Sequence, residues 1–588
     1  MVKLPNPPPW LQQLILSDSQ LGLALLALLA GLASGIVITL FRLAIEWPLI
    51  LFLPMTSAES FETLSPMLRT GMLICGGLAL ILLFSRRNEE GRSVGVTHVL
   101  IRMERHQGYL PSSNLLLQWL AAVIALLSGH SIGREGPAIH LGAGTASQIG
   151  QFTGLAHHRL RILAGAGVAS AISASFNTPI AGVIFAMEVV LLEYSTRSFI
   201  PIMLASVAGA IVSRAIFGNT PAFDVPPLAM HSLLELPAVL ILAFAAGGLA
   251  AAFIWTVRYL QRLNRLPLWA RWGSLTLTTA AISWYLPDIM GTGYDTVNAA
   301  LSGNVVAGVF VMVLLAKLLL ASWAAAIRFP AGLIGPVLFI GAMLGALIGD
   351  AMSTTFSERG LETGFYVMLG MGAMMGAVLG APLAALMALL ELTANPNLIM
   401  PGMLAIVIAT LVVSEGFRLP SVFEVQLGGN QLYQTPDPVL LMLRNTWVAD
   451  AMTRAVATVE RHLDAQLARQ LLEGHTEWLL LEQEQILVPM AAVAEALSQL
   501  PAPDDALSEP VHSIDLLSIP GSRAAIQRIP LKANLQDALD QMQARDIQWL
   551  GVYRRPSTSK RGPGNCLGLV SRDMIERFYR YQPRNARP

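Results

Sequence analysis

A carboxylate stands between two glycines in the segment Gly133-Arg134-Glu135-Gly136-Pro137. Pro137 suits the first turn of a helix, where its missing N–H would be unpaired in any case, and glycines let backbone amides approach a ligand. Because a helix N-terminus attracts anions, we predict an anion-binding helix start formed by Gly133, Arg134 and Gly136. Glu135 is itself an anion in this place, so it should compete with a bound anion and leave when protonated. The sequence therefore predicts a gate at Glu135, with Arg134 either a ligand or a neighbouring network residue.

A second copy of the glycine pattern lies 199 residues further along the chain. Segment 332–342 matches segment 133–143 at five positions, and segment 382–391 repeats the proline and the glutamate of segment 179–188. Two motifs in the same order at nearly one offset predict duplicated halves of about 200 residues, which are typical of transporters and channels. The second helix start would bind the anion through Gly332, Leu333 and Ile334. The alternative is that these glycines only permit close helix packing.

Charge is distributed unevenly along the chain. Residues 1–443 hold 42 of the 76 charged side chains, and residues 444–588 hold the other 34. Charge-free stretches close to the ~20 residues that span a bilayer lie at 19–41, 236–257, 296–316, 329–349, 365–390 and 392–414. Glycine and proline interrupt several of them, and breaks at membrane depth are tolerated only where protein or a water-filled cavity satisfies the backbone. The predicted fold class is an all-α polytopic membrane protein with duplicated halves and broken helices, followed by a smaller α/β domain.

The overall composition excludes several other classes of protein. With 38 basic and 38 acidic residues, the chain has no net charge to attract nucleic acid, so we expect no nucleic-acid partner. Its two cysteines, Cys75 and Cys566, give neither a disulfide scaffold nor a repeated metal-ligand spacing. We therefore expect no metal site and no cofactor in the membrane part.

The segment 133–137 resembles the signature of the CLC family of chloride channels and proton/chloride antiporters. Segment 175–182 resembles the family's Ala-Phe-Asn-Ala-Pro-Leu-Ala-Gly stretch, and segment 332–336 resembles its Gly-x-Phe-x-Pro motif, with Ile334 for the phenylalanine. The resemblance implies a homodimer in the lipid bilayer, in which each subunit has its own pathway for chloride and other small inorganic anions between two inverted halves. It also implies a multi-pass protein of a bacterial inner membrane with a cytoplasmic C-terminal domain.

Two positions depart from the family pattern. When the chain is aligned on Gly95, Val94 takes the place of a serine that supplies a hydroxyl to the family's central anion, and Phe423 takes the place of a tyrosine. The remaining coordinating groups would be the backbone amides of Val96, Leu333 and Ile334. A weaker and less chloride-selective site should follow. The alternative is a local misalignment, for which Ser93 and Ser421 are nearby substitutes.

A third departure concerns proton coupling. The position of the family's intracellular proton-transfer glutamate is Val189, one residue after Glu188. Valine cannot carry a proton, so the resemblance favours a passive chloride channel, gated by voltage or pH through Glu135. A proton-coupled antiporter is the alternative, because some antiporters of the family also lack this glutamate. Glu188 would be a structural helix residue equivalent to Glu391, or else a displaced proton carrier.

An intramembrane enzyme is a more distant alternative. Glu135 or Glu188 would then act with His130 or His140 as acid and base. No further spaced catalytic constellation accompanies these residues. The sequence therefore predicts a protein that is not an enzyme.

The C-terminal part alternates short apolar stretches with amphipathic helices, which is typical of an α/β domain. Segment 447–453 resembles the opening of a cystathionine-β-synthase-type (CBS) repeat, and segment 567–573 resembles the end of a second one. The resemblance favours a purely structural, dimer-stabilising tail, and the alternative is adenine nucleotide binding, for which Ser571 and Asp573 are the candidate residues. The predicted organisation is an N-terminal cytoplasmic segment 1–18, a transmembrane domain 19–430 with repeats at about 19–220 and 236–430, a linker 431–445, a CBS pair 446–580 and a tail 581–588.

Overall fold

The structure is a computed structural model that describes two long parts of the chain. The first is 20–428, without residues 54, 56, 89, 156, 220–222, 224, 227, 229, 231 and 356–361. The second is 446–580, without residues 500–512, 532 and 555–565, and residues 439 and 442–443 between the two parts are also described. The predicted N-terminal segment 1–18 and tail 581–588 lie outside the described residues, as does most of the predicted linker 431–445.

The chain divides near residue 433 into two compact units. The first unit is helical. Its first half contains α1 (Gln20–Phe52), α2 (Pro66–Ser85), α3 (Gly95–Arg105), α4 (Ser112–Leu127), α5 (Glu135–Thr153), α6 (His157–Phe176), α7 (Pro179–Phe185) and α8 (Thr196–Phe217). A π-helical turn, Ala186–Leu191, follows α7 directly.

The second half of this unit repeats the pattern. It contains α9 (Leu236–Leu260), α10 (Leu268–Ser283), α11 (Tyr294–Leu301), α12 (Ala307–Ala326), α13 (Ile334–Thr355), α14 (Thr363–Leu379), α15 (Pro382–Thr393), α16 (Ile399–Leu411) and α17 (Val422–Gln426). A π-helical turn, Val412–Gly416, extends α16. The two halves therefore share the same kinds of helix start. Helices α5 and α13 begin beside glycine, and helices α7 and α15 begin at proline.

Equivalent glycines make equivalent helix contacts in the two halves. A Cβ atom on Gly142 of α5 would lie 2.3 Å from the carbonyl oxygen of Gly167 in α6, and one on Gly341 of α13 would lie 2.3 Å from that of Gly370 in α14. The pairs are related by offsets of 199 and 203 residues, as in the sequence motifs. Small residues let these helix backbones approach closely, which is how helices pack inside membranes.

Seven helical segments within the described residues are long and apolar enough to cross a membrane. They are Gln20–Phe52, Pro66–Ser85, Thr196–Phe217, Leu233–Arg265, Ala307–Ala326, Ile334–Thr354 and Pro396–Gly416. Four shorter apolar helices accompany them: Ser112–Leu127, Pro179–Leu191, Thr363–Leu379 and Pro382–Thr393. Where such a helix is interrupted, its unpaired backbone N–H and C=O groups must find hydrogen-bond partners within the protein.

The second unit is an α/β domain built from two similar parts. Its helices are α18 (Val448–Ala451), α19 (Ala465–Glu473), α20 (Met490–Ser498), α21 (Leu535–Arg545) and α22 (Arg572–Arg580). Its strands are β1 (Val456–Val459), β2 (His462–Asp464), β3 (Trp478–Leu481), β4 (Ile486–Pro489), β5 (Ser513–Asp515), β6 (Ala524–Pro530), β7 (Trp549–Tyr553) and β8 (Cys566–Ser571).

Six strands form one sheet in the order β1-β3-β4-β6-β7-β8. In each part a parallel pair, β1 with β3 or β6 with β7, is followed by an antiparallel neighbour, β4 or β8. The remaining strands, β2 and β5, pair with each other. Beside this pair, two hydrogen bonds from Arg461 help to lower the pKa of Asp515 to about 2.

Candidate functional site

The two glycine motifs meet in the interior of the helical unit. The Gly133 N–H donates to the Gly332 carbonyl over 2.9 Å, and the Gly332 N–H donates back to the Gly133 carbonyl over 2.9 Å. A Cβ atom on Gly332 would lie 2.5 Å from the Gly133 carbonyl oxygen, and one on Gly136 would lie 2.6 Å from the Gly332 Cα. The glycines thus permit close packing, and that packing brings the starts of α5 and α13 together.

Glu135 is the first residue of α5, and it is only 1% exposed. Its carboxylate reaches across to the other half, where Oε2 accepts a hydrogen bond from the backbone N–H of Gly335, 3.1 Å away, in the first turn of α13. Its other oxygen, Oε1, accepts a hydrogen bond from the Tyr294 hydroxyl. The Nε of Arg134 lies 3.8 Å from the same oxygen. The carboxylate therefore occupies a place that is lined by donors suited to an anion.

Tyr294 is a site residue that the sequence reasoning did not identify. It begins α11, is buried, and its ring packs against Phe223 with centroids 4.7 Å apart. The guanidinium of Arg134 lies 5.2 Å from the centroid of the Tyr294 ring. Tyr294 thus contacts both the candidate gate and its cationic neighbour.

Two ionisable side chains, half-buried Glu59 and buried Lys317, contact the turn that precedes Tyr294. The Glu59 carboxylate accepts hydrogen bonds from the backbone N–H groups of Thr292 and Gly293, over 3.1 and 3.0 Å. From α12, Lys317 Nζ donates to the carbonyls of Ile289 and Gly291, over 3.1 and 2.9 Å. Ionisable residues at membrane depth are costly and commonly functional. Here their contacts hold the backbone of residues 289–293, which leads into α11 and Tyr294.

A polar cavity of about 360 Å³ lies beside these residues. Arg134 and Tyr294 line it, together with Arg42 and Glu46. Arg134 Nη1 lies 3.1 Å from Glu46 Oε1, and Arg42 Nε lies 2.5 Å from the same oxygen. Arg134 is therefore a network residue that also faces the cavity, with 12% of its side chain exposed.

The predicted central site lies at the start of α3. Gly95 has a positive φ of 82°, and a Cβ atom built on it would meet no atom within 4 Å, so free volume lies beside this glycine. The Gly95 N–H donates to Gln118 Oε1 of α4 over 2.6 Å. Val94 is the residue before the helix and provides no side-chain cap, while Val96 is buried in its first turn. The Gly95 amide is thus occupied by a side chain in this structure.

The remaining predicted ligands come from the second half. Leu333 and Ile334 are buried at the start of α13, where Ile334 takes the position equivalent to Glu135. Phe423 is buried in α17, which packs against α3. The Ser421 hydroxyl, a possible substitute donor, instead bonds Glu424 as the N-cap of α17.

Glu188 and Glu391 make reciprocal contacts between the two halves. The Glu188 carboxylate accepts the N–H groups of Leu383 and Ala384 in the first turn of α15, over 3.1 and 2.8 Å. The Glu391 carboxylate accepts those of Ile180 and Ala181 in the first turn of α7, over 2.9 and 2.8 Å. Each carboxylate thus caps a helix of the opposite half.

Val189 and the two candidate histidines lie in separate surroundings. Val189 is 2% exposed. His130 bonds the hydroxyls of Ser128 and Thr276, over 2.8 and 3.1 Å. His140 lies 3.0 Å from His98 Nδ1 through its own Nε2. Within the described residues, His130 and His140 therefore bond partners other than Glu135 and Glu188, and no acid–base pair is formed from these four side chains.

A second cavity, of about 670 Å³, lies in the α/β unit. Ser571 and Asp573 both line it. Trp478 and Trp549 also line it, and their rings are 4.5 Å apart between centroids. Asp573 forms an ion pair with Arg577 over 2.6 Å. The predicted nucleotide residues thus stand in one pocket with two aromatic side chains.

The chain is similar to known proteins in sequence and in fold. Residues 71–414 match a family model described as voltage gated chloride channel. A putative chloride channel protein, ClcB-like, of Ralstonia nicotianae is 30% identical over 247 residues, which make up 40% of this chain and 57% of that protein. The chain thus spans just over half the length of that relative.

Two solved structures are similar in fold. A slow cyanobacterial Cl−/H+ antiporter matches with a TM-score of 0.60 and 21% identity, over 70% of this chain and 98% of that one. A eukaryotic CLC transporter matches with a TM-score of 0.56 and 17% identity, over 94% of this chain and 97% of that one. At these identities the similarity shows the fold.

Proposed function

The chain belongs to the voltage gated chloride channel (CLC) family, and on this premise we propose that it carries chloride and similar small inorganic anions across a lipid bilayer. The family match covers more than half of the chain, and together with the apolar helices it makes the chain an integral, multi-pass membrane protein. The observation that carries the proposal is the position of the buried Glu135 carboxylate, which accepts hydrogen bonds from two donors of the second half and lies beside Arg134 of the first. An anion that replaced it would find the same donors.

In this proposal Glu135 is the gate. While ionised, it holds the Gly335 N–H and the Tyr294 hydroxyl, and so it excludes a permeating anion from them. Protonation removes the charge that these donors attract, and the side chain can then leave. The Arg134 guanidinium next to it would keep the emptied place attractive to an anion.

We propose proton-coupled exchange as the mode of transport, in place of the passive flow expected from Val189. The complete burial of the carboxylate supports this mode, because the pathway is closed where it stands and each opening then requires a proton. The slow cyanobacterial Cl−/H+ antiporter, which shares the fold, supports it as well.

A passive channel is the second candidate. It is favoured by Val189, which is buried and carries no titratable group at the position where the sequence alignment expects a proton carrier. A proton would then cross low-dielectric protein without a side chain to hold it, which costs several kcal/mol. Uphill proton movement driven by chloride separates the two modes.

Anion efflux from proteoliposomes tests the proposed transport. We expect chloride efflux above that of protein-free vesicles, with shallow discrimination among chloride, bromide and nitrate, because Val94 and Phe423 provide no hydroxyl at the central site. Background rates for all three anions, from folded protein, would contradict the proposal. Strong chloride preference would contradict only the reasoning about the missing hydroxyls.

For the α/β unit we propose a CBS pair that binds an adenine nucleotide. Its two parts share one strand order, and its pocket combines Ser571 and Asp573 with the adjacent, mutually tilted rings of Trp478 and Trp549, either of which offers an aromatic surface to a base. Calorimetric titration with AMP, ADP and ATP should give saturable binding that Asp573→Ala weakens. If none of the three nucleotides gives a binding heat, the nucleotide proposal is contradicted and a purely structural role for the α/β unit is favoured.

We also propose the family's assembly and orientation for this chain. It would form a homodimer with one anion pathway in each subunit, in a bacterial inner membrane with the α/β unit in the cytoplasm. Crosslinking in native membranes and protease access to the α/β unit from either side test these two statements separately.

A further inference from the structure

Gln118 of α4 is a buried residue that the proposed function has not used. It is 0% exposed, and its Nε2 has no hydrogen-bond partner within the part of the chain that the structure describes. Buried side-chain donors are nearly always paired, so an unpaired amide at such a position calls for an acceptor that the protein itself does not supply.

The orientation of the Gln118 amide is fixed by its neighbours. Arg102 Nε donates to His98 Nε2 over 3.2 Å, so His98 carries its proton on Nδ1 and donates it to His140 Nε2, 3.0 Å away. His140 then carries its own proton on Nδ1, which faces Gln118 Oε1 over 3.2 Å. The Gly95 N–H donates to that same oxygen over 2.6 Å. Both groups in contact with Oε1 are donors. If the oxygen and nitrogen of the Gln118 amide were interchanged, the amide N–H would therefore face two other N–H groups.

The unpaired Nε2 therefore lies next to the start of α3. The two heavy atoms of an amide are about 2.2 Å apart, and Oε1 is in contact with Gly95 N. The free volume beside Gly95 lies at the same helix start. A helix N-terminus favours an anion, and α3 is long enough, at 11 residues, to have one.

We propose that Gln118 Nε2 donates a hydrogen bond to the permeating anion at the start of α3, in the role of the hydroxyl that Val94 lacks. This inference rests on the proposed anion transport. The ligand class is a small inorganic anion, either a halide or an oxyanion such as nitrate. A neutral amide holds such an anion without a net charge, so binding stays weak enough for release.

Two variants of Gln118 separate the donor from the acceptor role. Gln118→Met removes both and adds no charge. Gln118→Glu keeps an oxygen for the Gly95 N–H but removes the N–H donors and adds a negative charge. Gln148→Met serves as a control, because Gln148 donates to the Leu110 carbonyl and stands apart from Gly95.

The measurement is the chloride concentration that gives half-maximal flux in proteoliposomes, together with the melting temperature of each variant. We expect about a tenfold higher half-saturating concentration for Gln118→Met and a larger rise for Gln118→Glu, since hydrogen bonds to charged groups are worth about that factor. The melting temperatures identify the variants that are folded, and only those are compared. Gln148→Met should leave the half-saturating concentration unchanged.

The outcomes distinguish this inference from the proposed function. Absence of saturable flux in the unaltered protein would overturn anion transport itself. Normal half-saturating concentrations in a folded Gln118→Met protein would overturn the inference alone. If Gln118→Met does not fold, a normal half-saturating concentration in Gln118→Glu overturns it equally well.

Discussion

At the residue scale, Glu135 is held from two directions, by the Tyr294 hydroxyl and by the Gly335 N–H. Tyr294→Phe removes the first of these donors and leaves the ring in place. We expect flux at neutral pH to rise by roughly tenfold, because a hydrogen bond to a charged group is worth about 1.5–3 kcal/mol and each ~1.36 kcal/mol is a factor of ten. The pH of half-maximal flux should move upward, since the docked position loses a partner.

Tyr285→Phe is a matched control for this experiment, because Tyr285 is 84% exposed. It should leave both the rate and the pH profile unchanged. An unaltered pH profile in Tyr294→Phe would show that the hydroxyl does not hold the gate.

Glu188 and Glu391 make equivalent contacts, since each caps a helix of the other half. We expect Glu188→Gln and Glu391→Gln to lower thermal stability by similar amounts, on the order of 1 kcal/mol, because each weakens one cap. Anion flux should persist in both. If Glu188→Gln alone abolished proton movement, Glu188 would be a proton carrier rather than a cap.

Local sequence predicted the position of Glu135 because two glycines and a proline beside it define a helix start. Tyr294 and Gln118 were not predictable in this way. Tyr294 contacts Glu135 across 159 residues, and its place depends on a turn held by Glu59 and Lys317. No local pattern encodes those contacts. The available signal was the presence of ionisable residues in an apolar part of the chain, which at membrane depth suggests a role.

At the element scale, the meeting of α5 and α13 depends on glycine. Gly332→Ala would place a Cβ atom 2.5 Å from the Gly133 carbonyl oxygen and 2.7 Å from the Gly136 nitrogen. Backbone atoms cannot yield as a flexible side chain can, so we expect loss of flux and a clear drop in melting temperature.

Gly248→Ala is the corresponding control in α9, where a Cβ atom would meet nothing within 4 Å. Alanine in a helix is favoured over glycine by about 0.5–1 kcal/mol, so this variant should melt at the same or a higher temperature. Equal behaviour of the two variants would mean that the Gly133–Gly332 contact does not limit the site.

The charge-free stretches identified apolar parts of the chain, but their ends do not coincide with the helix ends. Stretch 296–316 contains the end of α11 and the start of α12, and α12 continues past the charged Lys317 to Ala326. Stretch 365–390 contains two helices, which separate at Gly380 with a φ of 68°. A lack of charged residues indicates that a segment lies in apolar surroundings. The positions at which helices end depend instead on glycine, proline and tertiary contacts.

At the scale of the whole molecule, the two halves of the helical unit bring together an unequal pair of helix starts. Glu135 stands at the start of α5, and Ile334 stands at the equivalent place in α13. Of the two side chains only that of Glu135 is a carboxylate, so in the proposed exchange it should control the passage of both anions and protons. This asymmetry makes Glu135 the residue through which coupling can be removed.

Proton movement driven by a chloride gradient tests the central claim most directly. Proteoliposomes loaded with chloride and diluted into low chloride, without a pH difference, are monitored for internal pH and chloride efflux. We predict uphill proton movement in a fixed ratio to chloride for the unaltered protein, and chloride efflux without proton movement for Glu135→Gln. Chloride efflux without protons in the unaltered protein, or proton movement that survives in Glu135→Gln, would contradict proton-coupled exchange gated by Glu135.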